Sequence, residues 1–125
     1  MVSSLRGKRI LVVEDEYFIA SDLARLLLQQ EAVVLGPVAD VERGLALTEG
    51  NPIDAAILDV NLEGSPCFPI ADRLSERKVP FMFLTGYDAW AIPPGYRATT
   101  RITKPFPIEK VLESLTQLVG MEQAS

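Results

Sequence analysis

Four short apolar runs and a fifth, shorter strand-like stretch, mostly separated by helical periodicity, constrain this chain more than any other feature. They are RILVV (9–13), AVVLGPV (32–38), DAAILDV (54–60), FMFLT (81–85) and TTRIT (99–103). RILVV is continuous rather than alternating and rich in β-branched residues, and DAAILDV is again apolar. A strand covered on both faces reads this way. Between the first two runs, Phe18, Ile19, Leu23, Leu26 and Leu27 recur at three- and four-residue spacing. Asp22, Arg25, Gln29 and Gln30 lie between them, which predicts an amphipathic helix ending near Gln30. Asp40 is placed to cap a second helix from about Val41 to Thr48. A third helix is expected from about Ile70 to Arg77, after the loop-like segment Asn61–Pro69. Ile108, Val111, Leu112, Leu115, Leu118 and Val119 form one stripe of a last helix, to about Gly120. Strands alternating with helices predict a parallel sheet covered on both faces. Gly36-Pro37, near the end of the second run, suits an edge strand. After the fourth run, GYDAWAIPPGY carries two consecutive prolines and a glycine. These forbid a long regular helix, so a shortened or irregular fourth helix is expected.

The 125 residues fit one domain. A domain of this size buries roughly two-thirds of the surface its unfolded chain exposes, enough to dispense with disulfides. The one cysteine, Cys67, cannot form an internal disulfide, which fits a reducing cytosol. The chain has no histidine. That excludes a Ser-His-Asp triad, a His-based zinc site and a phosphohistidine, and leaves Cys67 without an imidazole to activate it. Cys67 therefore reads as a small packing residue. The net charge of −5 weighs against a nucleic-acid partner. No apolar run approaches a membrane span, and the N-terminal MVSSLRGKR lacks the apolar core of a signal peptide. The expected location is the cytoplasm, with no membrane partner.

Ligands bind at the carboxyl ends of strands in open α/β sheets. Here those ends carry Glu14 and Asp15 (first strand), Asp59 (third), Thr85 (fourth) and Lys104 (fifth). Singly, each has an ordinary explanation: a helix start, a turn cap, a strand former, a solvated cation. Together they require polar groups at most strand ends by chance. Three carboxylates on one edge repel one another. They can raise a pKa, hold a cation, or use Lys104 as counter-ion. An all-oxygen carboxylate set suits a hard ion such as magnesium. With a metal and a lysine present, the remaining acid could attack phosphorus, since a carboxylate can form an aspartyl-phosphate.

LVVEDE, AAILDVNL, FLTGY and TKPF stand in the order and at the spacing of one known family. The chain resembles the CheY-like receiver domains of two-component response regulators, from about Lys8 to Val119. The resemblance implies a flavodoxin-like, doubly wound (βα)5 fold with a five-stranded parallel sheet of order 2-1-3-4-5. It implies that Asp59 is the phospho-acceptor, and that Asp15 ligates Mg2+ directly while Glu14 acts through a metal-bound water. Asp59 itself and the backbone carbonyl of Asn61 complete the metal site. Thr85 would swing its hydroxyl to the phosphoryl group, Lys104 would pair with a phosphoryl oxygen, and Lys104-Pro105 would be cis. A histidine kinase or phosphotransfer protein would be the donor. The domain would catalyse only its own phosphorylation and dephosphorylation.

Three departures from the family pattern stand out. Arg101 occupies the place, three residues before the lysine, where most receivers carry Tyr or Phe. FLTGY resembles the FAT GUY subgroup of alphaproteobacterial stress and kinase pathways, but Tyr87 follows Gly86 directly. AIPPGY replaces the usual fourth helix. Tyr87 and Trp90 read equally as packing or signalling residues, Arg101 as a solvated strand end, Phe106 as core, and Glu16 as the opening of the first helix. Few residues follow the last helix, so a single receiver domain over 1–125, with a core of about 8–119, is expected. Its output would be protein binding, or passing or draining phosphate in a relay. Rival readings are a degenerate receiver serving as a scaffold, and a magnesium-dependent phosphatase. The phosphatase reading is weakened because Asn61 stands where a general acid would be needed. A flavin-binding domain would want a phosphate-cradling loop where this chain has acids.

Overall fold

The computed structural model describes residues 3–86 and 91–124. Its strands are β1 (Arg9–Val13), β2 (Val33–Val38), β3 (Ala55–Asp59), β4 (Phe81–Thr85) and β5 (Arg101–Thr103). Its helices are α1 (Tyr17–Gln29), α2 (Val41–Gly50), α3 (Phe68–Glu76) and α4 (Ile108–Ala124). The five strands form one sheet in the order β2-β1-β3-β4-β5, every neighbouring pair parallel. Parallel neighbours need crossovers; α1, α2 and α3 supply those up to β4, while between β4 and β5 the described residues hold only a 3₁₀ turn.

Alternate residues of each strand feed two separate cores. Ile10, Val12, Ala55, Ile57, Met82 and Leu84 face a layer that includes Leu23 and Leu27 of α1 and Val111 and Leu115 of α4. Leu11, Val13, Ala56, Leu58, Phe81 and Phe83 face Ile70, Ala71 and Leu74 of α3, with Leu45 of α2 packed against them. All five residues of β3 are buried, as the apolar run predicts for a central strand. β2 lies on the edge, and Gly36-Pro37 is a cis bond there. Gly36 has φ +97°, and a Cβ on it would come within 2.7 Å of the Val12 carbonyl oxygen.

Four expectations need correcting. Phe18 is not in the inward stripe of α1; it is 81% exposed, while Ala20, Leu23 and Leu27 point inward. Nine residues before Leu27, Phe18 stands roughly 180° around the helix from it. α3 begins two residues before Ile70, with Pro69 in its first turn, where a missing N–H costs nothing. α4 continues past Gly120 to Ala124, so the glycine does not stop it. The segment Asn61–Pro69 is not all loop. Asn61–Leu62 pairs antiparallel with Ser65–Pro66 around a two-residue turn. Both turn residues, Glu63 and Gly64, have positive φ, the pattern of a tight hairpin turn.

Among the described residues, only a 3₁₀ turn, Pro94–Tyr96, stands where a fourth helix would be. Tyr96 substitutes for part of its packing. Its ring lies 5.7–6.3 Å, centroid to centroid, from Phe68, Phe81 and Phe83. Its hydroxyl donates to the Asp72 carboxylate of α3. Arg101 is exposed, and its guanidinium donates to the Arg97 carbonyl at 2.7 Å. Phe106 is partly buried against the α1–α4 core. Tyr87 and Trp90 lie outside the described residues.

Candidate functional site

The parallel register brings the acids together. Val13 of β1 pairs with Leu58 of β3, so the residues that follow, Glu14 and Asp59, emerge side by side from the sheet. Both are buried, at 2% and 4% exposure. Asp15 is half-buried beside them. One carboxylate oxygen from each of Glu14, Asp15 and Asp59 lies within 4.8 Å of the others.

Lys104 follows β5, two strands away from β3. Its backbone N–H is fixed to the Thr85 carbonyl at 2.7 Å, and its side chain reaches across the end of β4. There the ammonium lies 3.1 Å from Asp59 Oδ2, 3.0 Å from Glu14 Oε1 and 3.0 Å from Glu16 Oε1. The Lys104-Pro105 bond is cis, as the resemblance implies.

Backbone donors hold the acids in place. The Asn61 N–H donates to Asp59 Oδ1 at 3.2 Å. The Glu63 N–H, at the tip of the hairpin, donates to Asp15 Oδ2 at 3.0 Å. The Glu16 N–H donates to Glu14 Oε2 at 2.9 Å. Asp15, Glu16, Asp59, Asn61, Gly86 and Lys104 line a small cleft of about 60 Å³. Thr85 is the half-buried last residue of β4, one beyond Leu84, which pairs with Asp59. It is not among the residues lining that cleft.

Crowding sets the protonation of the group. Burial, then the neighbouring Glu14 and Asp15, push Asp59 up to about 8. Burial also raises Glu14, against the lowering effect of Asp59, the Glu16 N–H and Lys104. Asp15 ends below its ordinary value: burial would raise it, but hydrogen bonding with Asp59 and the Glu63 N–H outweighs that. Lys104 is held above its ordinary value, because Glu14 and Asp59 outweigh the cost of burying the ammonium.

The structure thus gathers Glu14, Asp15, Asp59, Asn61 and Lys104 into one place, with Thr85 on the adjoining strand end. Two contributors were not legible as such. Glu16 reads as a helix opening, yet its carboxylate pairs with Lys104. The available signal is spacing: residues two apart in an extended stretch share a face, so Glu16 follows Glu14 toward the lysine while Asp15 does not. The Glu63 N–H depends on the hairpin, whose sign in sequence is Glu63-Gly64 alone.

Comparison with known proteins bears on the family of the chain. The family model of the response regulator receiver domain matches residues 10–116. The chain is 35% identical over 119 residues to the transcriptional regulatory protein TcrA of Mycobacterium tuberculosis, covering 90% of this chain and 46% of TcrA. It spans about half the length of the curated relatives it matches. Among solved structures, it is similar to SdrG from Sphingomonas melonis Fr1, with 38% identity and a TM-score of 0.79 over 94% of this chain and 98% of SdrG. It is also similar to SdrG in a BeF3-activated conformation, with 37% identity and a TM-score of 0.73 over 95% and 99%. The receiver domain of the hybrid histidine kinase CckA matches at 32% identity and a TM-score of 0.74, over 89% of this chain and 98% of that one. A doubly wound sheet of this order, with the acids and the lysine at its switch point and a family match across most of its length, makes this chain a member of the response regulator receiver domain family.

Proposed function

We propose that the chain takes a phosphoryl group onto Asp59 from a partner histidine kinase or phosphotransfer protein, in a magnesium-dependent reaction, and thereby changes the surface it offers to another protein. The observation that carries this reading is the buried Asp59 carboxylate, held 3.1 Å from the Lys104 ammonium beside two further acids.

The donor set fits magnesium. It is all oxygen, it comes from converging carboxylates, and one ammonium cannot neutralise it. Asp15 and Asp59 would hold the ion directly, with the Asn61 carbonyl, and Glu14 through a bound water. Once bound, the ion offsets the charge of the acids and of incoming phosphoryl oxygens. An Asp59 carboxylate oxygen then attacks phosphorus. The oxygen–phosphorus bond forms as the donor's bond to phosphorus breaks, and the donor leaves with that electron pair. Lys104 donates to a phosphoryl oxygen, and the Thr85 hydroxyl turns toward another. Charge and acceptor oxygens new to Asp59 draw both side chains, and the loops that carry them, into a second arrangement. Arg101 stands where most receivers carry Tyr or Phe and is bonded to the Arg97 carbonyl, so position 101 does not supply the usual aromatic partner of that threonine. FLTGY supports placement near the FAT GUY subgroup. We read the chain as a receiver domain working in the cytoplasm, its output protein binding or relay of phosphate.

Intact-mass measurement after treatment with acetyl phosphate and magnesium tests the reading. One labile phosphoryl group is expected on the wild type and none on Asp59→Asn. An equal adduct on Asp59→Asn would sink it. Magnesium should also raise the melting temperature by ligand linkage, and Asp15→Ala should lose that response.

A further inference from the structure

An ammonium has three N–H donors, and three carboxylates surround that of Lys104. Glu14 and Asp59 are buried partners; the Glu16 side chain is 59% exposed. Glu16 is tied into the site twice, through its backbone N–H to Glu14 Oε2 and through its carboxylate to Lys104. It occupies the N-cap of α1 without bonding its side chain back to the helix. The free N–H groups of a helix start would favour such a bond. The carboxylate is directed to the lysine instead.

We propose that Glu16 is a positioning residue that competes with the incoming phosphoryl group for the Lys104 ammonium and so sets how readily Asp59 is modified. This rests on the phospho-acceptor reading above. When phosphoryl oxygens arrive, Lys104 must release a partner to bind them. Releasing Glu14 would take from a fully buried carboxylate its direct ionic partner, which is costly. Releasing Glu16 returns an exposed carboxylate to water, and an exposed ion pair is weak. Glu16 therefore restrains the lysine before transfer and is the contact given up during it.

The test compares the wild type, Glu16→Gln and Glu16→Asp. Glu16→Asp keeps the charge but shortens the side chain and improves the N-cap, drawing the carboxylate away from Lys104. The initial rate of phosphoryl uptake from acetyl phosphate should rise about two- to fivefold in both variants, the span of an exposed ion pair. The side-chain NMR signal of Lys104, in protein with labelled lysine, should shift in both variants before modification and converge on the wild type with beryllofluoride bound. A faster Glu16→Gln with an unchanged Glu16→Asp would mean a bulk charge effect and overturn the proposal. So would a Lys104 signal that neither substitution moves. If the wild type takes up no phosphoryl group, the phospho-acceptor reading fails, while the Lys104 signal still reports the ion pair itself.

Discussion

Lys104 Nζ and Asp59 Oδ2 lie 3.1 Å apart, joining the ends of β5 and β3 across the end of β4. The lysine side chain is 13% exposed and also serves Glu14, whose side chain is fully buried. Removing it leaves two buried acids facing each other without a cation. Lys104→Ala should destabilise the metal-free protein by about 2–3 kcal/mol, below the usual cost of breaking a buried pair because a carboxyl can take up a proton. Asp59→Asn should do the opposite and stabilise it by roughly 1–2 kcal/mol, since it removes a buried carboxyl that must otherwise take up a proton or repel Glu14 and Asp15. Urea denaturation in the presence of a chelator measures both. The double variant should recover much of the loss, because the two sites share one interaction.

The same crowding makes the stability depend on pH. Asp59 lies at about 8 in the folded chain, against an ordinary 3.8. Between those values the folded state binds a proton that the unfolded state does not. This contribution is fully present below about pH 4 and is lost as pH rises through 8. Glu14, also raised by burial, acts in the same direction. Asp15 is lowered, and its contribution changes only at more acidic pH. The metal-free protein should therefore lose stability from pH 5 to 8, and Asp59→Asn should flatten most of that slope. Magnesium affinity should rise over the same window, as the proton it displaces becomes easier to remove. Melting curves across pH, with and without magnesium, check both statements.

How far such a site can be read in advance differs from residue to residue. Glu14, Asp15, Asp59 and Lys104 are legible because each stands at the end of a strand-like run, and parallel strands deliver their ends to one edge. The edge position of β2 follows from Gly36-Pro37, and the sheet order from the family resemblance. The direction of a side chain is less legible. Phe18 fits a loose three- and four-residue spacing, but the helix turns it to solvent. Glu16 belongs to an acidic run, and only the position of the lysine reveals what it does. Tyr96 sits in a segment whose prolines signal the loss of a helix, yet nothing local announces that its ring covers Phe81 and Phe83. These are tertiary facts, set by what lies opposite each residue.

Cys67 starts the crossover into α3 and is completely buried. Burial, with the charge of Asp59, pushes its thiol up to about 12. The thiolate is the reactive form, so the native protein should resist thiol reagents. Reaction with a disulfide reagent at pH 8 should be at least about 10³-fold slower in buffer than in denaturing urea, the margin set by the free energy of opening. A native rate close to the denatured one would show that this part of the α3 layer opens readily.

Gly36 is the sharpest test of the sheet edge. With φ +97°, it holds a conformation that side chains rarely adopt. A Cβ there would meet the Val12 carbonyl oxygen at 2.7 Å and the Val38 nitrogen at 2.9 Å. Both are backbone atoms, so neither can turn aside as a flexible side chain would. The register between β1 and β2 shifts at this point, between Leu11 and Val13, and the Glu14 N–H bonds to the Val38 carbonyl at 2.9 Å. Distortion at Gly36 would therefore travel to the first acid of the site. Gly36→Ala should cost roughly 2–4 kcal/mol, from strain and overpacking together. It should also weaken magnesium binding, although residue 36 offers no ligand. Chemical denaturation gives the first quantity and a magnesium titration of the folded fraction gives the second. A variant as stable as the wild type would contradict the close approach of β2 to β1.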